Sequence, residues 1–149
     1  MRPCTCSPSP LPYTAQSPTA STDGSRYLLC LILHLPAFFG DVAVGAVATR
    51  LDKVDEASGA QRMYIMTLGV LPAYRHHGIG RRLLQYALEL AQSPKLNVTE
   101  ITLDVQVTND AALAFYQRHG FTIVREEKNY YKNVQPADAY HLAYTVTRH

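Results

Sequence analysis

Cysteine is scarce in this sequence and missing from most of it. The three cysteines, Cys4, Cys6 and Cys30, all lie within the first 30 of 149 residues. The remaining residues therefore have no disulfide framework, and a reducing compartment is the simpler interpretation. The spacing of Cys4 and Cys6 is shorter than that of the usual zinc pairs and no second pair follows, so we expect no metal.

A strong charge of one sign and a long hydrophobic run are also missing. The chain has 14 basic and 12 acidic residues, a net charge of +2, and its basic residues are scattered. This pattern argues against direct binding of nucleic acid. The apolar run at residues 27–35 is too short to span a membrane, and no small-residue cleavage site follows it, as a secretion signal requires. We therefore expect a globular protein with no membrane partner.

The first part of the chain differs in composition from the rest. Five of the nine prolines lie within the first 18 residues, among many serines and threonines. Such a composition cannot bury a core and predicts disorder over residues 1–25. We divide the chain into an atypical or disordered segment, residues 1–37, and one folded domain, residues 38–149.

Hydrophobic periodicity in the second part predicts an α/β fold with a mixed sheet. The predicted strands are residues 42–50, 62–71, 100–107, one that begins at 121–124, and 140–147; the predicted helices are 81–92 and 111–119. Residues 51–61 are polar and predict a hairpin loop, and Gly45 predicts a bulge or a close approach of two backbones. The helix after the second strand acts as the crossover to a parallel strand at residues 100–107.

A glycine-containing loop joins a strand to a helix at Arg75-His76-His77-Gly78-Ile79-Gly80. Glycine allows positive φ and close approach of a ligand, and the helix N-terminus directs N–H groups at it. Arg75, Arg81 and Arg82 add positive charge. The sequence R-x-x-G-x-G fits neither the Rossmann nor the Walker pattern, but it predicts an anion site.

Three stretches carry a resemblance to a known family: YIMTLGVLPAYRHHGIG, LDVQVTNDAALAFYQRHGF and EKNYYKNVQPADAY. They are similar to the GNAT acetyltransferases, in particular to N-alpha-acetyltransferases of the NatE type, over residues 39–140. The resemblance implies a GNAT fold that here lacks the usual first strand and two N-terminal helices. Residues 27–35 offer a substitute first strand; without one, the strand at residues 42–50 would be an unpaired edge.

The same resemblance implies an activity and its partners. The enzyme would transfer acetyl from acetyl-CoA to the free α-amine of peptides that start with Met and a hydrophobic residue. It would work in the cytoplasm, with the NatA complex at the ribosome as a partner. The positions that match family positions for acetyl-CoA are Leu68, Gly69, Val70, Arg75, His76, His77, Gly78, Ile79, Gly80, Arg81, Asn109 and Tyr116. The arm of acetyl-CoA would enter a gap between residues 66–70 and 104–107, where two parallel strands separate beside a bulge.

The resemblance also implies catalytic and peptide-binding residues. Tyr64 matches a tyrosine that holds a water for proton removal, and Tyr116 matches a proton donor to the leaving thiolate. Asp104 stands where the family has histidine. Met66, Tyr130 and Tyr131 match residues that bind the substrate peptide.

Asp104 leaves two interpretations open. It replaces the histidine as base or water holder, or it is a solvated strand residue in an impaired site. An aspartate, with an ordinary pKa of about 3.9, is a weaker base than a histidine at about 6.5. An α-amine, with a pKa of about 7.7 to 8.0, needs less help than a lysine at about 10.4. The alternatives are a non-catalytic acetyl-CoA-binding scaffold or NatA partner, and an acetyltransferase for lysine or small amines.

Overall fold

A computed structural model describes residues 32–147 of the chain. The described elements are β1 (Ile32–Phe39), β2 (Val42–Asp55), β3 (Ala60–Val70), α1 (Ile79–Ala91), β4 (Val98–Gln106), α2 (Asp110–Arg118), β5 (Thr122–Glu127) and β6 (Ala139–Thr145), with a 3-10 turn at Pro72–Tyr74. The predicted α/β class and order of elements are confirmed. The disorder predicted for residues 1–25 lies outside the described residues.

All six described strands form one sheet, in the order β1-β2-β3-β4-β6-β5. β3 and β4 pair in parallel, and every other neighbouring pair is antiparallel. α1 connects the two parallel strands, as the sequence predicted. The parallel pairing of β3 and β4 depends on this crossover, because antiparallel neighbours can be joined by short loops whereas parallel neighbours cannot.

β1 occupies the edge of the sheet beside β2, with pairs that run from Ile32↔Arg50 to Phe39↔Val42. This is the substitute strand that residues 27–35 were expected to offer, although it starts at Ile32 and residues 27–31 lie outside the described part. Within residues 32–147 no helix precedes β2. β1 includes residues on both sides of the predicted division at 37/38, and the placement of that division stays a prediction.

The hairpin between β2 and β3 is shorter than the sequence suggested. The predicted loop covered residues 51–61, but β2 continues to Asp55 and β3 begins at Ala60. Asp55 closes the turn by accepting the N–H groups of Ala57 and Ser58 at 3.1 and 3.2 Å, and Gly59 has a φ of 64°. The polar residues misled the prediction because both strands extend past the core, where their side chains meet water.

The hydrophobic core lies between α1 and one face of the sheet. The buried side of the helix carries Leu83, Leu84, Ala87 and Ala91, at the spacing of one face of an amphipathic helix. These side chains join a cluster with the buried strand residues Val47, Leu51, Met63, Ile65, Val98, Ile101, Leu103, Val105 and Leu142. Because successive strand residues point to opposite faces, the alternate residues, including Tyr64, Asp104 and His141, point to the other face. Neither described helix is long and apolar enough to cross a membrane.

Candidate active site

β3 and β4 separate halfway along their length. Their parallel pairing starts at Gln61↔Val98 and ends at Tyr64↔Thr102. On its other side, β3 carries one extra residue against β2, because Ala48 pairs with Thr67 while Thr49 pairs with Ile65. The extra residue is Met66, and a bulge of this kind bends a strand. The predicted separation is therefore present, and it leaves the backbone of β3 after Tyr64 without pairing from β4.

The backbones of β2 and β3 approach each other closely at Gly45. A Cβ atom at Gly45 would lie 2.8 Å from the carbonyl oxygen of Gly69. A Cβ atom at Gly69 would meet nothing within 4 Å. The predicted close approach is confirmed, and the space around Gly69 leaves room for a ligand along the unpaired part of β3.

The loop between the 3-10 turn and α1 has the backbone that an anion site needs. His76 and Gly78 have positive φ values of 64° and 77°. Gly78 is the N-cap of α1 and no side chain caps the helix, so its first N–H groups have no side-chain partner. Arg75 Nε donates to the Val70 carbonyl at 3.0 Å, and His77 Nδ1 donates to the Arg75 carbonyl at 2.7 Å. These bonds hold the loop against the end of β3, where a pyrophosphate would meet the helix N-terminus.

A compact group of oxygens lies where the parallel strands separate. The Tyr64 hydroxyl is 3.0 Å from Asp104 Oδ2 and 2.9 Å from the Tyr130 hydroxyl. The Tyr130 hydroxyl is 3.1 Å from the same Oδ2 atom. Three close contacts are thus served by only two hydroxyl protons, because an ionised carboxylate brings none. We call Tyr64, Asp104 and Tyr130 the oxygen cluster.

Burial controls the electrostatics of the oxygen cluster. Removal from water raises the pKa of Tyr64, and its hydrogen bond to Tyr130 and the charge of Asp104 raise it further. Burial also raises the pKa of Tyr130. Both hydroxyls therefore keep their protons at neutral pH. The guanidinium of Arg50 lies 5.0 Å from the centre of the Tyr64 ring, a cation–π contact that fixes the ring from the β2 side.

The structure adds a residue that the sequence analysis did not select, His141 on β6. Asp104 and His141 are direct partners in the β4–β6 register. His141 Nδ1 donates to Asp104 Oδ1 at 2.7 Å, and the two side chains are only 13% and 6% exposed. A histidine inside the apolar strand at residues 140–147 was the available signal, but its partner depends on strand order and register.

The other predicted site residues have different positions. Tyr131 donates to the Asp104 backbone carbonyl at 3.5 Å and packs edge-on against the Tyr130 ring. Asn109 caps α2 by accepting the Ala112 N–H at 3.1 Å. Tyr116 on α2 is 8% exposed, and burial raises its pKa to about 12. Within residues 32–147 no three His, Cys, Asp or Glu side chains lie close enough together to hold a metal ion.

The Phe115 ring of α2 lies close to Gly80 at the start of α1. A Cβ atom at Gly80 would lie 3.9 Å from the Phe115 ring, which neighbours Tyr116 in the chain. The rings of Phe115 and Tyr116 are 5.2 Å apart in an edge-to-face arrangement. The described site thus has two parts: the loop with the α1 N-terminus and α2, and the oxygen cluster with His141 and Tyr131.

Comparisons with known proteins agree with this arrangement. The sequence profile of the Acetyltransferase (GNAT) family matches residues 4–121. The chain is 45% identical over 106 residues to N-alpha-acetyltransferase 50 of Danio rerio. The matched residues make up 71% of this chain and 61% of the relative. It is 40% identical over 112 residues to the probable N-acetyltransferase san of Drosophila melanogaster, covering 75% of this chain and 59% of the relative.

A solved structure gives the same result. Arabidopsis thaliana Naa50 in complex with the bisubstrate analogue CoA-Ac-MVNAL is 44% identical, with a TM-score of 0.69 over 75% of this chain and 72% of that one. The chain spans about three fifths of the length of the fish and fly relatives. The profile, the two relatives and the shared architecture together show that the chain belongs to the GNAT acetyltransferase family.

Proposed function

We propose that this chain is an N-alpha-acetyltransferase that transfers acetyl from acetyl-CoA to the free α-amine of a peptide. The observation that carries the proposal is the oxygen cluster, which lies where β3 and β4 separate. The anion loop follows the end of the same strand, β3. Similarity to relatives named as N-alpha-acetyltransferases supports it. A solved neighbour holds a CoA–peptide analogue, which supports acetyl-CoA as the acetyl donor.

Acetyl-CoA would bind along the unpaired part of β3 and the start of α1. The N–H groups after Gly78 and the charges of Arg75 and Arg81 suit its pyrophosphate. Leu68, Gly69 and Val70 offer backbone groups to the pantetheine arm, since β4 does not pair with them. The remaining residues assigned to this site are His76, His77, Ile79, Gly80 and Asn109. This binding holds the thioester in a fixed position for attack.

The oxygen cluster would accept the proton that the amine loses. As the amine nitrogen forms its bond to the thioester carbon, an N–H bond breaks and its electron pair stays on nitrogen. The proton passes to the cluster, where three oxygen contacts hold only two protons and Asp104 Oδ2 accepts the third. The C–S bond then breaks with its electron pair on sulfur, and Tyr116, which keeps its proton at neutral pH, protonates the thiolate of CoA. Asp104 gives the amine's proton to water and Tyr116 takes one from water, which restores both side chains for the next cycle.

The substrate would be a peptide N-terminus with Met followed by a hydrophobic residue. Met66, at the bulge in β3, would contact the first side chain, and the hydroxyls of Tyr130 and Tyr131 would contact the peptide backbone. Because an α-amine is partly neutral near pH 7, the weakly basic Asp104 suffices where a lysine would need a stronger base. We place the enzyme in the cytoplasm, with nascent chains and the NatA complex at the ribosome as partners.

Mass spectrometry of acetyl transfer tests this proposal. The full 149-residue chain is incubated with acetyl-CoA and a peptide that starts Met-Leu. A second peptide with a blocked N-terminus and an internal lysine is the matched control. We expect acetate on the free N-terminus and none on the lysine.

The alternatives give different results in the same experiment. Binding of acetyl-CoA by the folded chain without any transfer would contradict the proposal and identify a scaffold. Transfer to the lysine peptide alone would identify a lysine or small-amine acetyltransferase. A competing peptide that starts Met-Asp tests the second position, since it should be acetylated more slowly than Met-Leu.

A further inference from the structure

Asp104 is a buried carboxylate with a partner on each of its two oxygens. Oδ2 accepts from the hydroxyls of the oxygen cluster, while Oδ1 accepts from His141 Nδ1 at 2.7 Å. A carboxylate that is 6% exposed needs such partners, because burial of an unpaired charge is costly. The bond to Nδ1 also fixes the rotation of the carboxylate, so that Oδ2 faces Tyr64 and Tyr130.

The groups around the pair formed by Asp104 and His141 come from four parts of the described chain. They are Tyr64 on β3, Arg125 on β5, and Tyr130 and Tyr131 on the loop after β5, together with Arg50 on β2, which lies over the Tyr64 ring. The arginines stay charged through the neutral range, and the raised pKa values of Tyr64 and Tyr130 keep those tyrosines neutral there. Histidine is the side chain type that ordinarily changes charge in this range.

We propose that His141 is a positioning residue for acetyl transfer: its neutral imidazole orients the Asp104 carboxylate, and protonation of the imidazole weakens Asp104 as the proton acceptor. The inference rests on the proposed function. A positive charge 2.7 Å from Oδ1 stabilises the ionised carboxylate, so Asp104 takes the proton of the amine less readily. The effect is strong because both side chains are largely shielded from water.

Two substitutions of His141 separate orientation from titration. His141→Asn keeps an N–H donor near the Nδ1 position but cannot become charged, and His141→Ala removes both properties. His119→Asn is the matched control, because His119 Nδ1 also bonds an oxygen, the Phe115 carbonyl, but at the end of α2. For each full-length variant, kcat and the KM values for acetyl-CoA and a Met-Leu peptide are measured from pH 5.5 to 9, with thermal unfolding as a check of folding.

We expect His141→Ala to lower kcat about 10- to 100-fold at pH 8 while KM for acetyl-CoA stays unchanged. The loss should be smaller at acid pH, because the unmodified chain is itself slowed there by its charged imidazole. His141→Asn should recover most of the kcat at pH 8, and its activity should persist to a lower pH than that of the unmodified chain. His119→Asn should keep the unmodified pH profile. A shift of the acid limb in His141→Asn is a readout that a merely structural role would not produce.

Three results would overturn the inference. An unchanged kcat and pH profile in His141→Ala would show that the histidine has no role in the transfer. Equal loss of kcat in both variants with an unchanged acid limb would show a structural role alone. Absence of transfer by the unmodified chain would overturn the proposed function and this inference together. The first two results, in contrast, require an active unmodified chain and overturn this inference alone. If His141→Ala fails to fold, the pH profile of His141→Asn decides the question.

Discussion

At the scale of the residue, one carboxylate connects the side chains of the candidate site, because Asp104 contacts Tyr64, Tyr130 and His141. The sequence left open whether Asp104 is a proton acceptor or a solvated strand residue. The second interpretation is wrong in its premise, because the Asp104 side chain is 6% exposed and hydrogen bonded through both oxygens. Its role in proton removal stays a proposal.

The hydroxyl of Tyr64 provides a direct test of the oxygen cluster. Tyr64→Phe removes two of the three oxygen contacts and leaves the ring under Arg50 in place. We expect kcat to fall about 100-fold, which is the lower range for loss of a general acid–base group, with KM for acetyl-CoA unchanged. Tyr86→Phe is the control, since Tyr86 is 46% exposed on α1. Equal kinetics of the two variants would contradict the assignment.

Burial of Tyr116 predicts a loss of stability in alkali. The pKa of this hydroxyl is raised from 10.0 to about 12 in the folded chain, so the folded state holds its proton more tightly than the unfolded state. The corresponding stabilisation is complete below pH 10 and is lost as the pH rises through about 12. Two pKa units correspond to roughly 2 to 3 kcal/mol.

Denaturant unfolding of the unmodified chain and Tyr116→Phe between pH 8 and 11.5 measures this contribution. The variant lacks the titrating group, so the difference in unfolding free energy between the two proteins should shrink as the pH rises above 10. A difference that stays constant over this range would contradict the burial argument for Tyr116.

At the scale of the element, the shape of β3 creates the site. Its early residues pair with both neighbouring strands, and after Tyr64 it pairs only with β2. The bulge at Met66 and the close approach of Gly45 to Gly69 lie in this second half. One strand thus contributes Tyr64 to the oxygen cluster and an unpaired backbone edge to the proposed acetyl-CoA site.

The two glycines of the β2–β3 pair should respond differently to alanine. In Gly45→Ala the new Cβ would lie 2.8 Å from a backbone oxygen, so the strands must move apart. We expect a loss of about 1 to 3 kcal/mol in unfolding free energy, as for other overpacked sites. Gly69→Ala has open space and should change stability by less than about 1 kcal/mol. Equal losses in denaturant unfolding would contradict the close approach.

At the scale of the whole molecule, the hydrophobic core and the oxygen cluster lie on opposite faces of the sheet. One face packs against α1 and forms the hydrophobic core, while the other carries Tyr64, Asp104 and His141. The core holds the strands in register, and the register brings β3, β4 and β6 side chains together. The core and the oxygen cluster therefore share strands but no side chains. A change in the core would affect the oxygen cluster only by moving the strands.

Leu84→Ala tests how much the core supports the molecule. Leu84 is fully buried at the centre of α1, so its truncation removes apolar contacts and leaves a cavity. We expect a loss of about 3 to 5 kcal/mol in denaturant unfolding. Val54→Ala, an apolar truncation at a residue that is 52% exposed, should cost less than about 1 kcal/mol. Similar losses in the two variants would contradict the placement of the core.

The sequence by itself determined the two helices, the order of the elements from β2 onward and the glycine loop of this protein. Periodicity located α1 and α2 to within two residues of their observed bounds. These features depend on neighbours along the chain, so local preferences are sufficient.

Only the tertiary structure decided which side chains meet. The sequence did not reveal how far the strands of the β2–β3 hairpin extend, because polar residues on strands that pass beyond the core resemble a loop. It also could not pair His141 with Asp104, which are 37 residues apart in the chain. Their contact requires β6 to lie beside β4 in one register, and a shift of one residue would point the histidine to the opposite face.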